Sequence, residues 1–329
     1  MQAREAAAGG ADPAPVVGGQ PAPAGKWPDV AALMEGDMAY CTGTLIAPRT
    51  VLTAGHCVDG FNPTQVKLGA TDSQGDGEVI EVASSIFFPG WRNTYDVGVL
   101  QLARPATALP RPVATACVTA RLLTDGAAIH LVGFGATTTE GDDPNTTLME
   151  GDAEIVDADC TPGNGCQPAV SPGGEFVAGG QGVDSCFGDS GGPVYLSTPG
   201  GVVLAGVVSR GLDNAPTPCG GGGIYVRPDD MLNWIQFASA DQIALASCPP
   251  PSDDPPDDGS GGDGSSGSAG DGAGADGSDA DGVDGGDGDV TGGCSAGGHG
   301  GGGGGGSAVV LLGLAIAVDK ASRPHGPRA

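Results

Sequence analysis

Residues 16–248 of this 329-residue chain are predicted to form an all-β domain. Short apolar runs recur through the stretch, among them residues 51–54, 97–102 and 202–208. Clusters of Gly, Pro, Asn and Asp separate these runs, which is the pattern of a β-sandwich or a β-barrel. About 230 residues are enough for one barrel or for two packed barrels.

A single α-helix is predicted at the end of this domain. Asp229 or Asp230 can act as its N-cap, and apolar residues then recur from Met231 to about Leu245. We therefore expect the all-β domain to close with one C-terminal α-helix.

Both flanks differ from the domain in composition. Residues 1–15 are rich in Ala, Gly and Pro, and we interpret them as a leader or propeptide. They contain no apolar run of the kind that a secretory signal needs, and a misassigned start explains this better than a lost export signal. Residues 249–293 are rich in Asp, Gly, Ser and Pro, a composition that predicts a disordered, self-repelling linker.

Two further patterns lie near the C-terminus. Residues 279–289 space their carboxylates like a calcium loop but lack the Glu that closes an EF-hand, so a folded calcium site is not the favoured interpretation. In residues 294–329, Cys294 precedes a short apolar run at 307–318 and a basic end. This order resembles the C-terminal sorting tails of myxobacterial surface proteins and implies anchoring rather than a plain tail or a translation artefact. Membrane association is expected only through this segment. Its 12 apolar residues alone are too few to span a bilayer, but counting the preceding glycines makes spanning conceivable.

The charge argues against one class of function. The formal net charge is −27 at pH 7, with 13 Lys and Arg against 40 Asp and Glu. Nucleic-acid binding needs basic side chains to neutralise phosphates, so no nucleic-acid partner is expected. The acidity is compatible with steering a cationic substrate, although solubility is the simpler interpretation.

The nine cysteines indicate an oxidising compartment. Eight of them precede the tail, an even number, and no Cys-x-x-Cys pair occurs. This usage favours disulfides formed outside the cytosol over a zinc site. The four histidines are scattered, and neither a metal nor another cofactor is expected.

The stretch GVDSCFGDSGGP, residues 182–193, contains the candidate nucleophile, Ser190. Glycines at positions 188, 191 and 192 let the backbone turn tightly and bring N–H groups close to a substrate carbonyl. The same letters satisfy G-x-S-x-G, the nucleophile elbow of α/β-hydrolases, in which the histidine follows the serine. Only His299 and His325 follow Ser190, and neither lies in a predicted strand or helix. The elbow interpretation therefore fails.

The base must then lie upstream of the serine. His56 follows an apolar strand, whereas His130 lies within one, where a structural role is the better interpretation. Asp96 opens another apolar strand, and a carboxylate in that place is costly to bury unless it is paired. An N–H group of the His56 imidazole would provide the pairing.

The chain order His56, Asp96, Ser190 is that of chymotrypsin-like serine proteases. VVGGQPAPAGKWPDVAAL resembles their mature N-terminus, CTGTLIAPRTVLTAGHC their histidine motif, YDVGVLQL their aspartate motif and DSCFGDSGGP their serine motif. VVSRG matches their substrate-binding segment. Residues 16–245 are thus similar to a trypsin-type domain, which implies two six-stranded antiparallel β-barrels and a C-terminal α-helix.

The resemblance also implies a role for each catalytic group. Ser190 would attack the scissile carbonyl of a protein or peptide substrate. His56 would take its proton and return it to the leaving amine, and Asp96 would hold the histidine tautomer. The backbone N–H groups of Gly188 and Ser190 would bind the oxyanion.

A zymogen is implied as well. Removal of residues 1–15 would free the amino group of Val16 to pair with Asp189, and this ion pair would order the oxyanion loop. Trypsin-like enzymes do not easily cleave after a proline such as Pro15. Either a separate activating protease, as a partner, or a different cleavage point is therefore expected.

Specificity for Arg or Lys before the cut bond is implied by Asp184, which matches the floor of the primary pocket. Ser209 lies in the matched substrate-binding segment, and Gly211 and Gly223 match positions that keep the pocket open. Arg210 stands where the family usually carries Trp, so it places a cation on the pocket rim. The segment 212–222 has no evident family counterpart.

Four disulfides are expected: Cys41–Cys57, Cys186–Cys219, Cys160–Cys166 and Cys117–Cys248. The resemblance implies the first two, short sequence separation suggests the third, and the fourth joins the two cysteines that are left. Cys294 stays unpaired in this scheme. Val177 stands where family members commonly carry a further cysteine.

The leading hypothesis is a monomeric serine endopeptidase, secreted or anchored at the cell surface. One rival is a catalytically silent binding protein on the same fold. Another is an endopeptidase without preference for basic residues.

Overall fold

The structure is a computed structural model that describes residues 16–249. The expectations for residues 1–15 and for the tail beyond residue 249, which are the leader, the linker, the calcium-like loop and the sorting segment, lie outside the described residues. The described part of the chain contains 13 strands and three α-helices.

The first half of the described chain forms a closed antiparallel barrel. A two-residue strand, β1 (Gln20–Pro21), precedes it. The six barrel strands are β2 (Val30–Glu35), β3 (Met38–Ala47), β4 (Thr50–Thr53), β5 (Gln65–Leu68), β6 (Glu78–Phe87) and β7 (Gly98–Leu102). They pair in the order β2-β3-β4-β7-β6-β5. Because β4 is buried on both faces, its sequence lacks the apolar–polar alternation of a half-exposed strand.

The second half forms a barrel of the same size. Its strands are β8 (Ala128–Gly133), β9 (Met149–Asp157), β10 (Glu175–Ala178), β11 (Pro193–Thr198), β12 (Gly201–Gly211) and β13 (Gly223–Val226). They pair in the order β9-β10-β13-β12-β11-β8, and the pairing of β8 with β9 closes the ring. Strand β1 pairs with β9 outside this ring. The predicted all-β class with two six-stranded barrels is confirmed.

Three short helices flank the barrels: α1 (Gly55–Asp59), α2 (Ala116–Leu122) and α3 (Leu232–Ala238). The predicted C-terminal helix is therefore present, but it ends at Ala238 and not near Leu245. Beyond it the N–H of Ala244 bonds to Ile46 and its carbonyl accepts from Val113, at 3.0 and 2.8 Å. Tertiary backbone hydrogen bonds thus replace the last helical turns. The N-cap of α3 is Met231 and not Asp229 or Asp230, which lie in the 3-10 turn before it, and Met231 makes no side-chain capping bond.

Between the barrels lies a buried polar cluster around Asp29. Nε of Arg111 donates to Oδ2 of Asp29 at 2.9 Å, and the hydroxyl of Tyr195 donates to the same oxygen. Trp27 stacks on Tyr195 with ring centroids 4.7 Å apart. These contacts join the segment before β2 to β11 and to the connection between the barrels.

Replacing Asp29 with alanine is expected to lower the free energy of unfolding by about 3–5 kcal/mol, because it leaves the Arg111 guanidinium without its buried anion. Urea unfolding with the disulfides intact measures the loss. The matched control is Asp152→Ala, which removes an 82% exposed carboxylate paired with His130 and should cost about 1 kcal/mol or less. Equal losses in the two variants would contradict the assignment of Asp29 as a structural centre.

The structure brings together both members of each expected cysteine pair. The Cα–Cα distances are 6.2 Å for Cys41–Cys57, 5.3 Å for Cys186–Cys219, 5.3 Å for Cys160–Cys166 and 5.7 Å for Cys117–Cys248. Val177 packs in an apolar cluster with Cys160, Cys166 and Ile224. Within residues 16–249, no helix has the length and apolar character that crossing a membrane requires.

Candidate active site

The imidazole of His56 and the carboxylate of Asp96 form a close pair. His56 lies in α1, directly after β4, and Asp96 lies two residues before β7, which pairs with β4. Nδ1 of His56 lies 2.7 Å from Oδ2 of Asp96, and the backbone N–H of His56 donates to Oδ1 at 2.9 Å. The hydroxyl of Ser209 donates to Oδ2 at 2.8 Å. Asp96 is thus a buried carboxylate with three hydrogen-bond donors, which fixes the position of the imidazole.

Ser190 lies in the loop before β11 and lines the same cavity as His56, a space of about 440 Å³. The N–H of Thr42 donates to the Ser190 carbonyl at 2.9 Å and so ties this loop to the first barrel. Gly191 follows with φ of 78°, and a Cβ there would lie 2.0 Å from Oγ1 of Thr53. Only glycine fits this place, because the serine loop passes directly against the first barrel.

Gly188 and Asp189 shape the loop on the other side of the serine. Gly188 has φ of 100°, and its carbonyl accepts a hydrogen bond from Oγ1 of Thr42 at 2.8 Å. The carboxylate of Asp189 accepts the N–H groups of Gly135 and Cys186 at 2.8 and 2.9 Å. Hydrogen bonds of the Asp189 carboxylate and of the Thr42 side chain therefore hold this loop in place.

Asp189 is a buried acid. Burial raises the pKa of its carboxyl to about 7, although its two backbone hydrogen bonds oppose the shift and the charge of Asp184 adds to it. No Lys, Arg or His within residues 16–249 forms an ion pair with it. Val16 is also buried and packs in the core of the second barrel. A positive group introduced beside Asp189 would be strongly favoured.

Asp184 lies in the wall of the 440 Å³ cavity that contains Ser190. Its Oδ2 accepts the N–H groups of Gly220 and Gly222, each at 2.9 Å, and Oδ1 accepts that of Ser185 at 2.8 Å. Burial raises the pKa of this carboxyl above its ordinary value, against the effect of these bonds. A cationic ligand in this cavity would therefore stabilise the charged form of the Asp184 carboxyl.

Gly211 and Gly223 face each other across β12 and β13. Gly211 lines the cavity, and because it has no side chain, only its backbone borders the cavity at this position. A Cβ on Gly223 would lie 3.0 Å from the hydroxyl of Tyr225, so the absence of a side chain leaves room for that ring.

The chain was compared with families of known proteins and with individual relatives. A family model described as Trypsin matches residues 16–235. The chain belongs to the trypsin family. Brachyurin from Leptuca pugilator is 30% identical over 230 residues, which cover 67% of this chain and 97% of brachyurin.

Two further relatives are longer proteins. Serine protease 56 from Mus musculus is 32% identical over 240 residues, and the match covers 67% of this chain but 38% of that protein. The solved structure of the secreted serine protease VesC from Vibrio cholerae superposes with a TM-score of 0.54 at 28% identity, covering 67% of this chain and 47% of VesC. The trypsin-family domain described here thus spans less than half the length of each of these two proteins.

One feature of this trypsin-family chain was only half expected. Arg210 does lie on the rim of the cavity, as its position in the sequence predicted. Its guanidinium is bound by the buried carboxylate of Glu175, with Nη1–Oε1 at 2.7 Å and Nη2–Oε2 at 3.2 Å. Nothing in the sequence pairs these residues, because they are 35 positions apart and meet only through the β10–β13–β12 order.

Sequence reasoning also missed Thr42 and an aromatic part of the cavity wall. Thr42 holds both Gly188 and Ser190, yet no feature of CTGTLIAP distinguishes it from its neighbours. Tyr40 and Phe61 stack with centroids 4.4 Å apart and line the cavity together with the 62% exposed Phe187. An exposed aromatic gives no sequence signal of its own.

His130 takes part in a second Ser-His-Asp arrangement on the surface of the trypsin-family domain. Its Nδ1 lies 2.6 Å from Oδ1 of Asp152, and its Nε2 lies 3.1 Å from Oγ of Ser197. None of the three residues lines the cavity of Ser190. The strand pairings of β8 with β9 and β11 account for this cluster, in agreement with a structural role for His130.

One cluster has the composition of a metal site. Ligand atoms of Cys41, His56 and Cys57 lie within 4.8 Å of one another. The two sulfurs are joined in a disulfide and offer no thiolates to a metal.

Proposed function

We propose that the chain is a serine endopeptidase that hydrolyses peptide bonds after Arg or Lys. The observation that carries this proposal is a single cavity lined by Ser190, His56 and the buried acid Asp184. A nucleophile, a base and a cation-binding group then face the same bound peptide. Membership of the trypsin family supports the same conclusion.

In the proposed reaction, Oγ of Ser190 attacks the scissile carbonyl while Nε2 of His56 removes its proton. Asp96 accepts Nδ1–H of His56, which leaves Nε2 free to act as the base and stabilises the imidazolium that forms. The bonds from the His56 backbone and from Ser209 keep the Asp96 carboxylate oriented. His56 then donates the proton to the leaving amine, and water repeats the sequence on the acyl-enzyme.

The oxyanion is assigned to the N–H groups of Gly188 and Ser190. Donors of this kind act on the charge that develops in the transition state, and loss of one raises the barrier by about 3 kcal/mol. Thr42 supports this assignment, because its side chain and backbone bind the carbonyls of both residues and hold the loop in place.

Specificity for basic residues is assigned to Asp184. A Lys or Arg side chain in the cavity would gain a charge-assisted bond to a carboxylate that has no other cationic partner among the described residues. The ion pair with Glu175 neutralises Arg210, so the cation on the rim does not repel such a substrate.

Activation is assigned to cleavage after residue 15. The new ammonium group of Val16 would then pair with Asp189, whose buried carboxyl has no cationic partner among residues 16–249. The hydrogen bond from the Asp184 N–H to the Val17 carbonyl, at 3.0 Å, already ties this N-terminal segment to the specificity loop. The cut would therefore affect the cavity directly.

Asp189 gives the uncut form a measurable pH dependence. Its carboxyl has a pKa of about 7 in the folded chain and an ordinary value of 3.8. The folded state thus binds the proton more tightly, and this contribution to stability is present below about pH 4 and is lost as the pH rises through 7. We compare the free energy of unfolding of the uncut Asp189→Asn variant with that of the unsubstituted uncut chain. The difference should shift in favour of the variant by about 4 kcal/mol as the pH rises from 4 to 8.

The measurement is urea unfolding of both chains in a Ser190→Ala background, which prevents self-digestion. After cleavage behind Pro15 the difference should vanish or reverse, because the ammonium group stabilises the charged carboxylate. A difference that is independent of pH in the uncut chain would contradict the buried, unpaired acid.

We further propose that the protein acts outside the cytosol, as a monomer that needs a separate activating protease. The four disulfides of the described domain support an oxidising compartment. Residues 1–15 would be the propeptide, 16–248 the protease domain, 249–293 a linker and 294–329 the anchoring segment. N-terminal sequencing of the exported protein tests this division, and a first residue other than Val16 would refute the activation site.

Labelling with a fluorophosphonate, followed by peptide mapping, tests the proposed activity. A processed protein that never reacts at Ser190 would favour the catalytically silent binding protein. Comparing peptides with Arg and with Phe before the cut bond tests the specificity, and equal turnover would favour the endopeptidase without basic preference.

A further inference from the structure

Arg210 lies where two cavities meet. It lines the 440 Å³ cavity of Ser190 and a neighbouring cavity of about 200 Å³. Glu175 lines only the second cavity, and Asp184 lines only the first. The Arg210 side chain is therefore part of the partition between the two cavities. Glu175, which binds its guanidinium, lies on the side away from Asp184.

Two hydrogen bonds to Glu175 fix the guanidinium of Arg210. Both terminal nitrogens of Arg210 bond to Glu175, one to each carboxylate oxygen. This two-bond geometry fixes the plane of the guanidinium as well as its position. Glu175 is 2% exposed, so loss of Arg210 would leave an uncompensated buried charge.

Two further carboxylates share a cavity with Arg210: Asp184 lines the first cavity and Asp96 lines the second. Among the described residues, the partners of Asp184 are backbone N–H groups and the hydroxyl of Tyr225, and none of them is a cation. Arg210 is the only Lys or Arg among the described residues that line the cavity. Asp96 competes less well for a released guanidinium, because His56 and Ser209 already occupy its oxygens.

We propose that Glu175 is a positioning residue that holds Arg210 in the partition and so keeps Arg210 out of the Asp184 site. Without Glu175, the guanidinium turns to Asp184 and competes with the basic side chain of the substrate. This inference rests on the proposed function, since it names the residue that keeps the proposed specificity site open.

The test measures binding of benzamidinium, a small aromatic cation, by calorimetry in the Ser190→Ala background. Glu175→Gln keeps the shape of the side chain but removes its charge. We expect it to weaken benzamidinium binding about tenfold, because only the fraction of molecules with an open site binds. In active protein, the KM for an Arg peptide rises by the same factor while kcat is unchanged.

A second background separates positioning from structural damage. With Arg210→Gln present, the Arg210 guanidinium no longer competes, and Glu175→Gln also removes the buried charge that Arg210→Gln leaves unpaired. Adding Glu175→Gln to this background should therefore not weaken benzamidinium binding by more than twofold. With Arg210 intact, equal affinity of the Glu175→Gln variant and the protein that retains Glu175 would overturn the proposal. An equal loss in both backgrounds would also overturn it, because that loss would not act through Arg210.

Two further measurements keep the test decisive. If Glu175→Gln does not fold, Glu175→Asp retains the charge but withdraws it by one methylene, and it should weaken binding by a smaller factor that Arg210→Gln again abolishes. Unchanged affinity in Glu175→Asp would then overturn the proposal. If the protein with native Glu175 and Arg210 does not bind benzamidinium at all, the basic specificity itself fails, together with the inference.

Discussion

Replacing Ser190 with alanine is expected to lower kcat for peptide hydrolysis about a million-fold. Without the hydroxyl no acyl-enzyme forms, and the residual rate comes from the oxyanion donors and from substrate binding alone. Substrate affinity should change little, because the Asp184 site is intact. Single-turnover kinetics with an Arg peptide measure both the rate of hydrolysis and the substrate affinity. Fluorophosphonate labelling tests the loss of the nucleophile.

The surface cluster of His130 supplies the matched control. Ser197 also lies within hydrogen-bond distance of a histidine that pairs with an aspartate, but outside the cavity. Ser197→Ala should therefore keep kcat within twofold. If labelling persisted in Ser190→Ala and disappeared in Ser197→Ala, the nucleophile would have to be reassigned to the surface cluster.

Replacing Asp184 with serine is expected to lower kcat/KM for an Arg peptide about ten-thousand-fold. A guanidinium in the altered cavity would be removed from water without an anion, and the N–H groups of Gly220 and Gly222 would lose their acceptor. Turnover of a peptide with a small apolar residue before the cut bond should change far less. The ratio of the two kcat/KM values is the quantity to measure.

Asp213→Ser is the control for loss of an acid from the neighbouring segment 212–222, where Asp213 is exposed. It should alter the ratio less than about threefold, as expected for a charge screened by solvent. A similar fall in both variants would assign the preference for basic residues to the overall negative charge and not to Asp184.

The fold was predictable because its signals are local. The buried strand β4 reads as an apolar run in the sequence, and the cost of burying Asp96 at the start of β7 already required a nearby N–H donor. The end of α3 was not predictable in this way. Its apolar pattern continues to Leu245, but backbone bonds of Ala244 to Ile46 and Val113 compete with the helix and prevail.

The candidate site was predictable where a residue type and its chemistry coincide. A serine among glycines and an acid at a fixed offset were visible in the sequence. Glu175 and Thr42 were not, since each acts on residues far along the chain: Arg210 in one case, Gly188 and Ser190 in the other. Such contacts follow from strand order and register, which composition and periodicity do not encode.

The disulfide between Cys117 and Cys248 has a mechanical consequence. Cys248 is the last residue but one of the described chain, and the bond joins it to α2 at the second barrel. A pull on the chain from beyond residue 249 therefore enters the fold through this covalent link. The load bypasses Ala244 and Ala246, whose backbone hydrogen bonds to Ile46 and Val113 would otherwise be the first to carry it. Tension from the C-terminal side thus reaches the domain at α2 and not at the last backbone hydrogen bonds of the described chain.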